Sequence, residues 1–172
     1  MIGIAVATGA VLVLIAGWGL SATSTESFCI SCHEMRVYAH AEYKNSGHDF
    51  NRTGKRVTCP DCHVPNDFFP KLWRKIRASQ ELYHHLTGKL DTPEKYEQQR
   101  YQMALNVWRE MKANDSRNCR DCHDSAQMNP QMQSEDARDS HLSAVEEGLT
   151  CIDCHYAIVH EEPDGELVPE DL

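Results

Sequence analysis

The chain has 172 residues, eight of them cysteine, a hydrophobic content of 41% and a formal net charge of −9. This length fits one domain of ordinary size. The acidic balance excludes a general role in nucleic-acid binding, because such binding needs a basic surface that displaces phosphate counterions.

The chain starts with an uncharged apolar segment, MIGIAVATGAVLVLIAGWGL (1–20). A helix of this length reaches about 30 Å, the thickness of the hydrocarbon core of a bilayer. A cleaved signal peptide is the alternative, since the small residues of SATS (21–24) resemble a cleavage site, but the basic n-region is missing. We therefore predict that residues 1–22 anchor the protein in the lipid bilayer, with Trp18 at the interface.

All eight cysteines lie in four copies of the pentapeptide C-x-x-C-H. Such a run is typical of a covalent c-type haem site, in which two thiols bind the haem vinyl groups and the histidine reaches the iron. Zinc sites and redox dithiols also use C-x-x-C pairs, but neither requires a histidine after every pair. The pattern predicts four haems c, at Cys29, Cys32 and His33; Cys59, Cys62 and His63; Cys119, Cys122 and His123; and Cys151, Cys154 and His155.

Two long helices are predicted between the second and third motifs. The first covers 67–86, with Gly88 as its stop, and the second covers 91–115, with Thr92 as N-cap and Pro93 at the first helical position. Their spacing predicts an apolar stripe on each helix, formed by Leu72, Ile76, Leu82 and Leu86 in the first and by Tyr101, Ala104, Leu105, Trp108 and Met111 in the second.

A shorter helix is predicted over 134–147, and turns and loops are predicted around the motifs. The fold class is therefore mainly α with extensive loops, with a single N-terminal transmembrane helix before a compact multihaem domain organised by its four haems. We place that domain at 23–160. The acidic segment 161–172 is predicted to be a solvated tail.

The haem irons need up to four further axial ligands, and six histidines lie outside the motifs. Three of these lie in turn-rich or short-helix segments close to a motif and are the best candidates: His48, His141 and His160. The motif histidines are 30 residues apart in the first half (His33 and His63) and 32 in the second (His123 and His155), which predicts two pairs of haems.

Several blocks of the chain resemble the NapC/NirT family of tetrahaem quinol dehydrogenases. The blocks follow one another over essentially the whole chain: CISCHEM (29–35), NRTGKRVTCPDCHVP (51–65), ASQELY (78–83), LDTPEKYEQQR (90–100), WREMKANDSRNCRDCH (108–123) and TCIDCHYAIVH (150–160). The resemblance implies a membrane anchor, a periplasmic four-haem domain and a quinol-oxidising site beside the membrane-proximal haem. One departure is Asn66, which stands where several relatives have a histidine.

The resemblance also implies roles for single residues. His141 resembles the distal ligand of the second haem, His160 that of the third and His48 that of the fourth. At the first haem it implies that Met35 binds the iron in place of His33, which raises the potential of that haem. The alternative, in which Met35 only packs on the ring and His33 binds, stays open.

Quinol oxidation releases two protons, so the site needs a base. Glu81 occupies the place where relatives carry an acidic residue, and Lys75 is our choice for a cationic neighbour, with Lys71 and Arg74 as competitors. An exposed helix face with ordinary charge pairs is the alternative for both.

These observations predict an enzyme of the bacterial inner membrane whose haem domain lies in the periplasm. It takes electrons from menaquinol or ubiquinol in the membrane quinol pool and delivers them to a periplasmic reductase or a soluble redox protein. Two other functions are considered: an electron relay without its own quinol site, and a haem reductase of a small nitrogen or sulfur oxide.

Overall fold

A computed structural model describes residues 1–165, so the end of the predicted tail, 166–172, lies outside the described residues. The described part is mainly helical and has no β-strand. It also contains a π-helix, Met35–Ala39, and two short 3₁₀ helices, Ser125–Gln127 and Pro130–Met132. Its α-helices in chain order are α1 (Ile2–Ala22), α2 (Glu26–Cys29), α3 (His40–Tyr43), α4 (Cys59–His63), α5 (Phe68–Leu86), α6 (Pro93–Ala113), α7 (Arg117–Arg120), α8 (Glu135–Glu147) and α9 (Cys151–Cys154).

Helix α1 contains the predicted apolar segment, and none of its residues is buried in the protein. Its 21 residues and mean hydropathy of 2.1 make it long and apolar enough to cross a membrane, by length and composition. The helix ends where hydroxyl side chains bind its last carbonyl groups: Thr23 Oγ1 donates to Gly19 O at 2.8 Å, and Ser24 Oγ donates to Leu20 O at 2.7 Å.

The three longer helices predicted after the second motif are confirmed as α5, α6 and α8. Helix α6 begins at Pro93, as expected for a residue without an amide hydrogen. Helix α8 begins after Ser134, whose hydroxyl accepts the Ala137 N–H, and it ends at Gly148, whose φ of +70° favours glycine. The prediction of turns and loops around the motifs is wrong in part, because short helices begin or end there.

The described chain forms two compact units, divided between Thr92 and Pro93. The first unit contains α1 to α5 and the first two motifs, and the second contains α6 to α9 and the last two motifs. The predicted multihaem domain, 23–160, spans both units.

Each unit buries few side chains of its own. In the second unit Leu105, Trp108 and Ile152 form the core, and the remaining residues of the predicted α6 stripe, Tyr101, Ala104 and Met111, pack against it. In the first unit Tyr43 is buried, and its hydroxyl donates to Val57 O at 2.7 Å. The predicted α5 stripe remains exposed, from 36% at Leu72 to 74% at Leu86. Packing within the polypeptide alone is therefore thin.

Candidate functional site

The second and fourth C-x-x-C-H motifs lie on α4 and α9 and share one local structure. Before each, a threonine is joined to the aspartate inside the motif. The carboxylate of Asp61 accepts from both the N–H and the hydroxyl of Thr58 at 2.7 Å, and Asp153 accepts from the same groups of Thr150 at 2.7 and 3.0 Å. These bonds stabilise a helical turn, in which residues three apart share a face. Both thiols of each motif are thus presented on one side.

The first and third motifs also form helical turns, but no threonine stands directly before them. Cys29 is the last residue of α2, whose N-cap residue Thr25 accepts the N–H of Phe28 at 3.2 Å. In the third motif the N–H groups of Cys122 and His123 both donate to Cys119 O, at 3.1 and 2.8 Å. Each of the four motifs therefore has the compact backbone that a pair of thiols on one cofactor requires.

The motifs also come in two pairs. In the first unit α2 contacts α4, and the charge of Cys29 contributes to raising the pKa of Cys59. In the second unit the backbone N–H of Ile152 donates to Ser116 Oγ at 3.1 Å, which joins the fourth motif to the residue before α7. The structure thus places the first motif beside the second, and the third beside the fourth, in line with the pairs predicted from histidine spacing.

The motif cysteines are free thiols in a protein that has little core of its own. All eight cysteines lie in the described part of the chain and none forms a disulfide. Burial raises the pKa of the Cys59 thiol to about 11 and also raises the pKa values of Cys29 and Cys119. Within residues 1–165, no three histidine, cysteine or acidic side chains converge as a metal ion would require. The thin polypeptide core also suits a domain filled by bulky cofactors.

The predicted axial ligands are divided between the units. His33, Met35, His48 and His63 lie in the first unit, and His123, His141, His155 and His160 lie in the second. Met35 opens the π-helix and its side chain is 42% exposed. The His141 ring lies 6.0 Å from that of His155, and its Nδ1 donates to Gln133 Oε1 at 2.8 Å, which leaves Nε2 as the nitrogen that can bind iron.

The two predicted quinol-site residues both lie near the first motif. Lys75 Nζ donates to Thr23 O at 2.5 Å, just beyond α1, and lies 5.9 Å from the centre of the Phe28 ring. Burial raises the pKa of Cys29; the charge of Lys75 opposes this rise and that of Glu81 adds to it. Burial likewise lowers the pKa of Lys75.

The competitors of Lys75 have other surroundings. Arg74 forms an ion pair with Glu81, with 2.9 Å between Nη2 and Oε1. Lys71 lines a polar groove together with Thr25, Asp61 and Asn66. Neither Lys75 nor Glu81 lines this groove, so it is not the predicted quinol site.

Two contacts of the first unit were not predicted. His85 Nδ1 lies 2.8 and 2.9 Å from the carboxylate oxygens of Glu34, and the guanidinium of Arg56 binds Glu26 with two hydrogen bonds and Asp49 with one. The partners are 51, 30 and 7 residues apart in sequence. No periodic pattern joins residues 30 or 51 positions apart, although the charged residue directly after the first motif histidine was a visible signal at Glu34.

Comparison with known proteins gives one consistent result. The profile of the NapC/NirT cytochrome c family, N-terminal region, matches residues 1–165. The chain is 51% identical to the cytochrome c-type protein NapC of Escherichia coli K12 over 146 residues, which are 85% of this chain and 73% of that protein. It is 50% identical to the denitrification system component NirT of Stutzerimonas stutzeri over 153 residues, 86% of this chain and 76% of that protein.

A third relative is the putative tetraheme cytochrome-c type protein of Allochromatium vinosum, 44% identical over 162 residues. The match covers 94% of this chain and 88% of that protein. No solved structure matches the chain significantly.

Proposed function

Since the chain belongs to the NapC/NirT family of respiratory electron-transfer cytochromes c, we propose that it is a membrane-anchored quinol dehydrogenase that carries four haems. It oxidises quinol at the first haem and passes the electrons to a periplasmic reductase or a soluble redox protein. The observation that carries this proposal is the position of Lys75, which bonds to Thr23 at the end of α1 and lies 5.9 Å from the centre of the ring of Phe28, the residue before Cys29. In this proposal the first motif stands beside the membrane, where a lipid-soluble reductant arrives.

Helix α1 serves as the anchor in this proposal. Its 21 residues extend about 31 Å at 1.5 Å per residue, enough to span the hydrocarbon core. Residues 23–160 lie on the periplasmic side, where cytochromes c acquire their haems, and the acidic segment 161–172 follows them as a tail. The membrane quinol pool and the bilayer are then the first partners of the protein.

The four motifs hold the haems through their eight cysteines, as the name of the tetraheme relative suggests. Each haem iron supplies one-electron redox chemistry when bound. We assign His63, His123 and His155 as proximal ligands, and we assign His48, His141 and His160 as the distal ligands. The orientation of His141 by Gln133 supports its assignment as a ligand, because a ligating histidine ordinarily donates its second ring N–H to an acceptor.

At the first haem we assign Met35 as the axial ligand in place of His33. A thioether ligand raises the potential of a haem relative to a second imidazole, which favours acceptance of electrons from quinol. Glu81 is the group that accepts a proton from the quinol hydroxyl, and it forms an ion pair with Arg74. Lys75 orients the quinol oxygen and stabilises negative charge on it.

The partner after the haems is a periplasmic protein of nitrogen-oxide respiration, as the relative NirT, a denitrification system component, suggests. The nitrate, nitrite or other reductase that receives the electrons determines which respiratory chain the protein serves.

The test uses the full-length holoprotein in detergent. Menaquinol and ubiquinol analogues are added anaerobically in separate stopped-flow experiments, and haem reduction is followed optically against dithionite. Reduction by either quinol supports the proposal. Inertness toward both, with full reduction by dithionite, would leave an electron relay, and turnover of nitrite or hydroxylamine with an artificial donor would favour a haem reductase.

A further inference from the structure

Glu34 is one of the few buried polar residues in the described part of the chain. Only 6% of its surface is exposed, and both of its carboxylate oxygens lie within 2.9 Å of His85 Nδ1. A buried carboxylate without a hydrogen-bond donor is strongly disfavoured, because it loses its hydration and gains no contact in exchange. The hydrogen bond with His85 therefore holds the carboxylate of Glu34 in place.

Because of its position in the sequence, the contact of Glu34 with His85 matters for the first haem. Glu34 lies between His33 and Met35, the two side chains that compete for the iron of the first haem. Successive side chains of a helical segment point about 100° apart, so holding the middle one sets the directions of both neighbours. The π-helix that begins at Met35 widens the turn at this point, as π-helical segments often do at functional sites.

The other partner lies on the helix that carries the proposed quinol residues. His85 follows Glu81 by four positions on α5, so the two lie on one face of that helix. Helix α5 also contributes Lys75, which contacts Thr23. One helix thus contacts the end of the anchor and holds the residue between the two candidate iron ligands.

We propose that His85 is a positioning residue which, through Glu34, sets the axial ligation of the first haem. It holds the segment after the first motif in the rotation that presents Met35 to the iron and turns His33 away. The inference rests on the proposed haem at Cys29 and Cys32. Without the His85 hydrogen bond Glu34 turns toward water, the segment rotates with it, and Met35 loses its place as ligand.

The experiment compares two amides at position 85. Asparagine places its side-chain N–H group close to where Nδ1 of histidine lies, whereas glutamine places it near the Nε2 position. His85→Asn therefore keeps the donor to Glu34, and His85→Gln removes it while keeping polarity and helix propensity. His84→Gln, on the adjacent residue of the same helix, is the matched control.

Each variant is purified as the full-length holoprotein, and its haem content is measured. Near-infrared magnetic circular dichroism then reports the axial ligands, and a mediated redox titration gives the potential of each haem. We expect His85→Gln to lose the methionine-ligated signal and to lower the potential of one haem, with the other three unmoved. His85→Asn and His84→Gln should match the unaltered protein.

The proposal is overturned if His85→Gln retains four haems with unaltered ligation and potentials. It is also overturned if His85→Asn and His85→Gln lose the first haem or its ligation to the same extent, because the effect then does not depend on the position of the donor. Neither readout involves quinol. A protein inert toward quinol but altered by His85→Gln would therefore remove the proposed function and leave this inference standing.

Discussion

Lys75 Nζ donates a hydrogen bond to the backbone carbonyl oxygen of Thr23, across 52 positions of sequence and 2.5 Å of space. Thr23 is the residue directly after α1, and its carbonyl belongs to the group of helix-end acceptors that lack an intrahelical donor. The bond therefore joins α5 to the end of the apolar helix and places a cation beside the first motif.

The first testable consequence concerns Lys75 itself. Lys75→Met keeps the apolar stem and removes the ammonium group, so we expect quinol-driven haem reduction to slow by about tenfold or more, as for loss of a donor that stabilises developing charge. Dithionite reduction and haem content should not change. Lys71→Met is the matched control, because Lys71 lies on the same helix but lines the polar groove. Equal slowing in both variants would show that only the general charge of α5 matters.

Glu81 is expected to act as the proton acceptor. Glu81→Gln removes the basic oxygen but keeps a hydrogen-bonding side chain for Arg74, and we expect quinol-driven reduction to slow by roughly 10²-fold or more, as for loss of a general base. The rate is measured by stopped flow beside dithionite reduction. Glu97→Gln serves as the control, since Glu97 is also an exposed glutamate that pairs with an arginine on a long helix. An unchanged rate in Glu81→Gln would remove Glu81 from the mechanism.

The Arg56 cluster should stabilise the first unit. Arg56 binds both Glu26 and Asp49, whose side chains are 16% and 10% exposed, and its guanidinium carbon lies 5.2 Å from the centre of the Tyr43 ring. Arg56→Ala leaves both carboxylates without their cation, so we expect a loss in the free energy of unfolding that exceeds the effect of removing one exposed ion pair. Urea titration of the holoprotein measures it. Arg52→Ala, at an exposed position nearby, should cost well under 1 kcal/mol.

The same cluster predicts a dependence on pH. The hydrogen bond from Arg56 holds the pKa of Glu26 below its ordinary value of 4.5, against the opposing effect of burial. A lowered pKa contributes stability that is present above the unfolded pKa and is lost as the pH falls through the folded one. Between about pH 5 and pH 3, Tm should therefore fall more steeply for the unaltered protein than for Glu26→Gln. Parallel curves would show that Glu26 does not contribute to the acid lability.

In the second unit Ser116 should join the third and fourth motifs. Its side chain is almost fully buried, at 1% exposure, and its hydroxyl accepts the N–H of Ile152 at 3.1 Å. Ser116→Ala leaves that buried amide without its acceptor, which we expect to cost about 1–3 kcal/mol in the free energy of unfolding. Ser140→Ala, on an exposed position of α8, should have almost no effect. Chemical denaturation measures the free energy of unfolding of both variants. Equal values for the two would exclude a role for this bond.

Much of the fold could be predicted because its signals are local. Helix α6 begins at Pro93 and α8 follows the capping residue Ser134, since backbone geometry and capping act within one turn. The short helices at the motifs were not predicted. Their signal was nonetheless local, because a threonine three positions before an aspartate, as in Thr58 and Asp61, is typical of a capped helical turn.

The sequence by itself determined the family, the mainly helical class, the apolar first helix and the four C-x-x-C-H motifs, because each of these follows from residue spacing or composition. It identified Lys75 and Glu81 as quinol-site residues only by resemblance to the family. Tertiary structure alone decided that Lys75 bonds to Thr23 and that His85 holds Glu34. These contacts join residues far apart in sequence, and only the packing of α5 against the start of the chain brings them together.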